Sequence, residues 1–423
     1  MTIGWKTRST GAGPSPSVRR PRQRLNVATP SYLRDLNPAA FWAGITVFFW
    51  YAFAGIPLHL AVAAQLKLSP GETASWVLIV WLTSAAASIG ASLFYRIPIP
   101  ITWTIPGIIY LGALAGRFGY AEIVGANLLA GVLMVALGAF GIGKRIMTWL
   151  PLPIVMGMFA GSILVYGTRL VSATVEDFLV AGTCVLCYLA GRLLNDHRLP
   201  PVGLAAVGGG IAIFLRSSGV AIDVTWSAPD LIVPEMTFGL AAFAAITLPM
   251  IVLSMGLGNV QGLGFLQAQG YKVAVNPLSV LVGIASTLNA TFGGHPAIVA
   301  RTGVAMLAAK DAGPAEGRYW GVVISALLTL LIAFAGTTIA ALVGVLPRSY
   351  VFALAGLAIL GALQDSLERS FSGPLRFGAL VAFLVAVTPF AILGISSAFW
   401  ALLAGLAASA LLERQELSKQ WQS

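Results

Sequence analysis

Charge is what this chain has least of. Of 423 residues only 9% are Asp, Glu, Lys or Arg, against 58% hydrophobic, and there are 2 cysteines and 3 histidines. Each shortage excludes something. From about residue 41 to residue 412 the apolar runs are broken only by short polar stretches, so nothing is long and polar enough to fold as a separate soluble domain. Cys184 and Cys187, in CVLC, cannot complete a four-ligand metal site and read as small buried apolar residues. No HExxH, no Gly-x-Ser-x-Gly and no cluster of acids is present, which argues against an intramembrane enzyme. Neither a metal nor a cofactor is expected.

What the chain has in quantity is apolar runs of roughly 20 residues, the length of a bilayer-spanning helix. It reads as an all-α polytopic membrane protein. Fourteen elements are expected at about 41-65, 73-95, 97-116, 120-141, 150-168, 175-191, 200-215, 236-262, 277-293, 295-310, 319-344, 349-364, 377-393 and 396-412. Residues 1-37, rich in Gly, Pro, Ser and Arg and without the apolar centre of a signal peptide, read as a disordered cytoplasmic tail, and 413-423 as a second tail. His197, in NDHRLPP, reads as a loop residue.

The net charge of +10 could point to nucleic acid, but in a spanning protein basic residues mark the cytoplasmic side. With both termini inside, the outer face receives only Lys67, Arg117, Arg169, Arg216 and Arg348, and the inner face receives the rest. Arg301 is left over, within the membrane. Every acid falls at a segment end or in a loop, Asp365 included, so Arg301 is expected to lack a fixed partner. An unpaired intramembrane cation costs several kcal/mol unless a cavity, carbonyls or an anionic ligand compensates it, so it marks a candidate site.

Two elements are interrupted. The third reads RIPIPITWTIPGIIYLGALAGR and the tenth GGHPAIVARTGVAMLAAK. Pro98 and Pro100 disfavour helix until Pro106-Gly107, and Gly293, Gly294 and Pro296 do so until about Ala300. Each is expected to be a short strand followed by a half-helix. They stand third in each set of seven, and seven is odd, so the second set is expected to be inverted in a 7+7 repeat. Half-helix N-termini would then aim N-H groups at the membrane centre, an arrangement suited to an anionic substrate.

The stretches ITWTIPGIIYLGALAG, GNVQGLGFLQAQGYKVAVNPL and FGGHPAIVA resemble the benzoate/proton symporter family, over most of residues 38 to 412. The resemblance implies a bacterial inner-membrane importer of aromatic carboxylates. It also implies distant kinship with nucleobase/ascorbate and sulfate-type anion transporters, whose inverted repeats divide into core and gate domains, often in dimers. Here the core would be about 38-145 and 236-345 and the gate about 146-235 and 346-412, the core rocking against the gate. Carried over by position, substrate would lie between Thr102 to Gly107 and Pro296 to Gly303, with Asn259 and Gln261 lining the same cavity. Arg301 and Thr302 depart from the more neutral family stretch, and a basic residue there is similar to sulfate-type transporters. Met255 and Thr302 stand where nucleobase relatives carry carboxylates, which argues against a nucleobase.

Each side chain has a bland alternative. Arg301 could grip a carboxylate through its bidentate fork, or snorkel. Trp103 could face the substrate ring, or only pack. Thr102, Thr104 and Thr302 offer hydroxyls that usually bond their own backbone. Asn259 and Gln261 could join helices instead of binding ligand. His59 and His295, the intramembrane groups titrating near neutrality, could relay a proton, or brace the fold. The expectation is proton-coupled uptake of a small aromatic carboxylate such as benzoate, with the proton and the bilayer as partners and nucleic acid as none. The rival is a sulfate-type or dicarboxylate anion transporter or channel of the same fold.

Overall fold

In a bilayer the backbone has no water to bond, so an apolar run folds into helix wherever its residues permit. The computed structural model describes residues 32–141, 151–194, 200–216, 226–392 and 395–422. It opens with α1 (Pro38–Leu66), α2 (Pro70–Tyr95), β1 (Ile101–Trp103), α3 (Ile105–Ala113), α4 (Tyr120–Ala139) and α5 (Leu152–Glu176). There follow α6 (Phe178–Leu194), α7 (Pro201–Arg216) and α8 (Leu240–Ala268). The second half has α9 (Val275–Thr291), β2 (Ala297–Val299), α10 (Arg301–Leu307), α11 (Tyr319–Phe334), α12 (Gly336–Val345), α13 (Arg348–Phe371) and α14 (Arg376–Val387). It ends with β3 (Ala391–Ile392), β4 (Ile395–Ser396), α15 (Ser397–Leu412) and α16 (Arg414–Gln422).

Among the described residues seven helices are long and apolar enough to cross a membrane, α1, α2, α4, α5, α8, α13 and the one that contains α11. The starts follow local chemistry. The Asn37 side chain accepts from the Ala40 N-H, and Ser69 with Glu72 forms a capping box, each ahead of a Pro at the first helical position. Lys67 and Arg96 end α1 and α2 in the left-handed region.

Each expected span has a counterpart, with shifted ends. The tenth and third elements are strand plus short helix, as expected. The eleventh breaks at Ala335, between α11 and α12. Helix α13 runs to Phe371, well past residue 364, and thereby takes Asp365 into a helix. Helix α8 contains two π-helical stretches, Phe243–Thr247 and Val252–Asn259, a widening that often accompanies functional sites. His197 lies outside the described residues.

Packing divides the helices. Helix α4 lies on α9, and both α1 and α2 lie on α11, whereas α5 lies on α13 and α14, α14 on α15, and α6 on α7. Cys184 is buried in a small cluster with Leu170, Val180, Ala205 and Tyr350; Cys187 is half-buried, and both thiols are free. Residues 414-422 are helical, and the two acids flanking that helix's start cap α14. The Phe377 and Gly378 N-H groups donate to the Glu413 carboxylate at 2.8 and 3.0 Å, and the Leu375 N-H donates to Glu416 at 2.6 Å.

Candidate substrate-binding site

The two interrupted elements meet. Strand β1 pairs antiparallel with β2, with Ile101 opposite Val299, Thr102 opposite Ile298 and Trp103 opposite Ala297. The pairing continues at both ends in equivalent bonds: the Thr104 N-H donates to the Pro296 carbonyl at 3.0 Å, and the Ala300 N-H to the Pro100 carbonyl at 2.9 Å. The crossing is therefore locally two-fold about the Thr102–Ile298 pair. Each strand passes into its own short helix, so the N-termini of α3 and α10 lie at opposite ends of the ribbon.

A two-stranded ribbon leaves edge groups that a low-dielectric interior penalises heavily. Side chains from the flanking helices satisfy them. Ser88 of α2 accepts from the Ile101 N-H at 2.8 Å and donates to the Ile101 carbonyl at 2.7 Å, and Ser92 accepts from the Ile99 N-H at 3.2 Å. On the other strand, Ser286 of α9 accepts from the Ala297 N-H at 2.9 Å, and the Asn259 amide oxygen accepts from the Val299 N-H at 2.8 Å. Ser88 and Ser286 thus serve symmetry-equivalent strand positions. Helix α8 comes this close because of glycine: a Cβ on Gly262 would stand 2.4 Å from the Val299 carbonyl oxygen.

Beside the ribbon lies an aromatic box. His59 of α1 is fully buried, its Nδ1 2.9 Å from the Gly55 carbonyl, and its ring stands 4.9 Å from Trp103, 5.2 Å from Trp76, 5.7 Å from His295 and 6.0 Å from Trp81. The Trp76 indole N-H donates to His295 Nδ1 at 2.9 Å, and the Asn289 amide nitrogen donates to the His295 carbonyl at 3.0 Å. Nε2 of both histidines and Nε1 of Trp81 and Trp103 are buried without a hydrogen-bond partner among the described residues. The Trp76 and Asn289 bonds tie His295 at the entry to β2.

Arg301 has a fixed partner, contrary to expectation. Its guanidinium donates to the Asp365 carboxylate of α13 at 3.3 Å, and Arg369 grips the other oxygen at 2.9 Å. Span ends drawn on hydropathy alone put Asp365 at a boundary; the helix runs on past it, with Arg369, one turn on, paired to its carboxylate. Thr302 is exposed. The Thr104 hydroxyl caps α3, accepting from the Gly107 N-H at 3.2 Å. Thr102, nine-tenths buried, adjoins a cavity of about 10 Å³ shared with Tyr51, Ser84, Ser88, Ser325 and Thr329, room for about one water. Asn259 Nδ2 and Gln261 Nε2 are buried and have no hydrogen-bond partner among the described residues.

The structure therefore gathers Trp103, Thr104, His59, His295 and Asn259 around the crossing and places Arg301 at its rim, turned to α13. Sequence reasoning passed over Trp76, Trp81 and the bracing serines, and put Asp365 at a span end out of reach of Arg301. The four-residue spacing of Ser84, Ser88 and Ser92 along α2 was the available signal for one polar helix face.

A family model described as benzoate membrane transport protein matches residues 34–411. The chain is similar to the inner membrane protein YdcO of Escherichia coli (strain K12), 27% identical over 381 residues, 88% of this chain and 95% of that protein. It is also similar to the benzoate membrane transport protein of Acinetobacter baylyi, 28% identical over 364 residues, 85% of this chain and 92% of that protein. Among solved structures, the transmembrane domain of the cyanobacterial bicarbonate transporter BicA matches with TM-score 0.56 at 18% identity, covering 88% of this chain and 98% of that one. Murine Slc26a9, an anion transporter in the inward-facing state, matches with TM-score 0.59 at 14% identity, covering 91% and 70%. Identities this low speak to the fold alone.

Proposed function

Because this chain belongs to the family of benzoate membrane transport proteins and is a multi-pass membrane transporter, we propose that it imports benzoate or a similar aromatic carboxylate with protons. Arg301, at the first position of α10 and held by a carboxylate that a substrate carboxylate can replace, is the observation that carries the assignment. Exchange of one carboxylate for another leaves the guanidinium paired throughout, so it avoids the several kcal/mol that an uncompensated charge costs. The planar fork suits the incoming group.

The orphaned donors Asn259 Nδ2 and Gln261 Nε2 are hydrogen-bond donors available to the same substrate, together with the hydroxyls of Thr102 and Thr302. Thr104 keeps the α3 N-terminus in place, and Trp103 offers the ring an aromatic edge. His59, with His295 beside it, carries the proton.

The two-fold crossing and the matched roles of Ser88 and Ser286 support a seven-plus-seven inverted repeat, and the allocation of basic residues supports cytoplasmic termini. The split in helix packing supports a core about 38-145 and 236-345 and a gate about 146-235 and 346-412. Arg301 and Asp365 then bridge core and gate, so substrate binding frees the two to move apart. Two copies form the working dimer.

The test is uptake of labelled benzoate into proteoliposomes under an imposed pH gradient. Accumulation above protein-free liposomes, abolished by a protonophore and by Arg301→Ala, is expected; uptake equal to protein-free liposomes overturns the proposal. A second assignment, to a small inorganic anion or a dicarboxylate, is favoured by Arg301 itself and by the fold shared with a bicarbonate transporter. Competition of benzoate uptake by bicarbonate, sulfate and dicarboxylates separates the two.

A further inference from the structure

Away from the crossing, the end of α3, the second half of α5, the end of α14 and the start of α15 line an open cleft of about 310 Å³. That volume lies at the small end of the range for small-molecule sites, about 300–1,000 Å³. Its charged lining residues are two arginines, Arg117 and Arg169. Arg169 is half-buried, its Nη1 is buried with no hydrogen-bond partner, and no carboxylate lies within ion-pair distance of it among the described residues. The guanidinium rests instead 5.3 Å from the Phe352 ring and 5.9 Å from the Tyr166 ring, which hold it in place without neutralising it. Arg117 has a carbonyl partner, Phe390, at 3.3 Å.

The first residues of α15, Ser397 and Ala398, also line the cavity and bring a helix N-terminus to it, although the Ser397 N-H already donates to the Phe390 carbonyl at 3.1 Å. The opposing end of α3 is partly quenched, since the Leu111 and Gly112 carbonyls accept from the Leu114 and Ala115 N-H groups. Leu114, Leu164, Val165 and Val387 supply an apolar wall. A half-buried guanidinium with one buried unpaired nitrogen, a second, exposed cation, a helix start and an apolar wall together are the recognition chemistry of an amphipathic monocarboxylate.

We propose that this cavity is a second anion site, separate from the crossing, which holds a small monocarboxylate on Arg169 and Arg117 with its apolar part against the α3 and α5 wall. The aromatic acid as natural ligand rests on the proposed function; the anion site does not.

Thr168, exposed and lining the cavity, gives the probe. Thr168→Cys is placed in a background with Cys184→Ala and Cys187→Ala, and purified protein is reacted with an anionic and a cationic methanethiosulfonate. The anionic reagent is expected to react preferentially, benzoate to slow it, and Arg169→Gln with Arg117→Gln to lower the anionic-to-cationic rate ratio about tenfold, the scale for removing a charge a few ångströms away. Arg169→Lys restores most of the ratio, which separates charge from misfolding. A ratio unmoved by neutralising both arginines overturns the site. A protein that transports no benzoate yet keeps the charge-dependent ratio refutes the proposed substrate and leaves the anion site standing.

Discussion

Arg301 and Asp365, 64 residues apart in sequence, join α10 to α13 through a 3.3 Å hydrogen-bonded ion pair, and Arg369 holds the same carboxylate from the next turn of α13. The pair is part-exposed, so its direct contribution to stability is small, about 1 kcal/mol or less. Its consequence is for binding. Arg301→Ala is expected to leave the melting temperature nearly unchanged and to weaken benzoate uptake on the order of a hundredfold, the scale for truncating one partner of a charge pair. Asp365→Asn removes the internal competitor and is expected to lower the concentration of half-maximal binding. Calorimetric titration of both variants checks this; weaker benzoate binding by Asp365→Asn would count against carboxylate exchange.

Ser88 both accepts from and donates to Ile101, whereas Ser84 donates to the Val80 carbonyl of its own helix. Ser88→Ala is therefore expected to strand two buried backbone groups and cost about 1–3 kcal/mol. Ser84→Ala, which orphans no strand group, serves as the comparison. Thermal unfolding of the two variants in the same detergent should separate them, and equal losses would show that β1 does not depend on its serine brace.

Gly262 and Gly264 are two residues apart in α8 and so lie on opposite faces of it, the first buried and the second exposed. A Cβ at Gly262 meets the Val299 carbonyl at 2.4 Å, while one at Gly264 meets nothing within 4 Å. Gly262→Ala is expected to push α8 off β2, breaking the Asn259–Val299 bond and lowering the yield of folded protein. Gly264→Ala should be neutral or stabilise by up to about 1 kcal/mol through helix propensity. Size-exclusion profiles of the two variants give the answer.

His59 keeps Nε2 free among Trp76, Trp81 and Trp103. In His59→Gln the exchange of labelled for unlabelled benzoate is expected to persist while accumulation against a gradient falls toward none. Retained uphill accumulation would assign the proton to another group or to the substrate itself.

Burial acts to raise the Glu413 carboxyl, but the Gly378 and Phe377 N-H groups and the Ser409 hydroxyl outweigh it and hold the group below the ordinary carboxylate value. A depressed folded value means stability present above the unfolded value, about 4.3, and lost as pH falls through the folded one. Unfolding followed from pH 6 downward should show this loss in the native protein and a flatter profile in Glu413→Gln.

How far the chain could be read depended on range. Pro100, Pro106, Gly293, Gly294 and Pro296 predict the two interruptions because they act on their own backbone and that of their neighbours, and the strands and helix starts fall where those residues allow. The site was readable in part for the same reason: Trp103, Thr104 and His295 lie on those interruptions, and Asn259 was found through resemblance. Arg301 was found but its partner was not, since hydropathy bounds a span without saying which side chain a later helix will present to it.

Sequence alone determined that this chain spans a membrane many times and where its helices cannot continue, because side-chain solvation and backbone sterics are set by each residue and its immediate neighbours. Tertiary structure alone decided that β1 meets β2, that serines from α2 and α9 complete the ribbon, and that Arg301 turns to Asp365 while Arg169 meets no acid among the described residues. Those outcomes depend on which surfaces pack together, and a low-dielectric interior makes every unmatched polar group costly enough to select one arrangement.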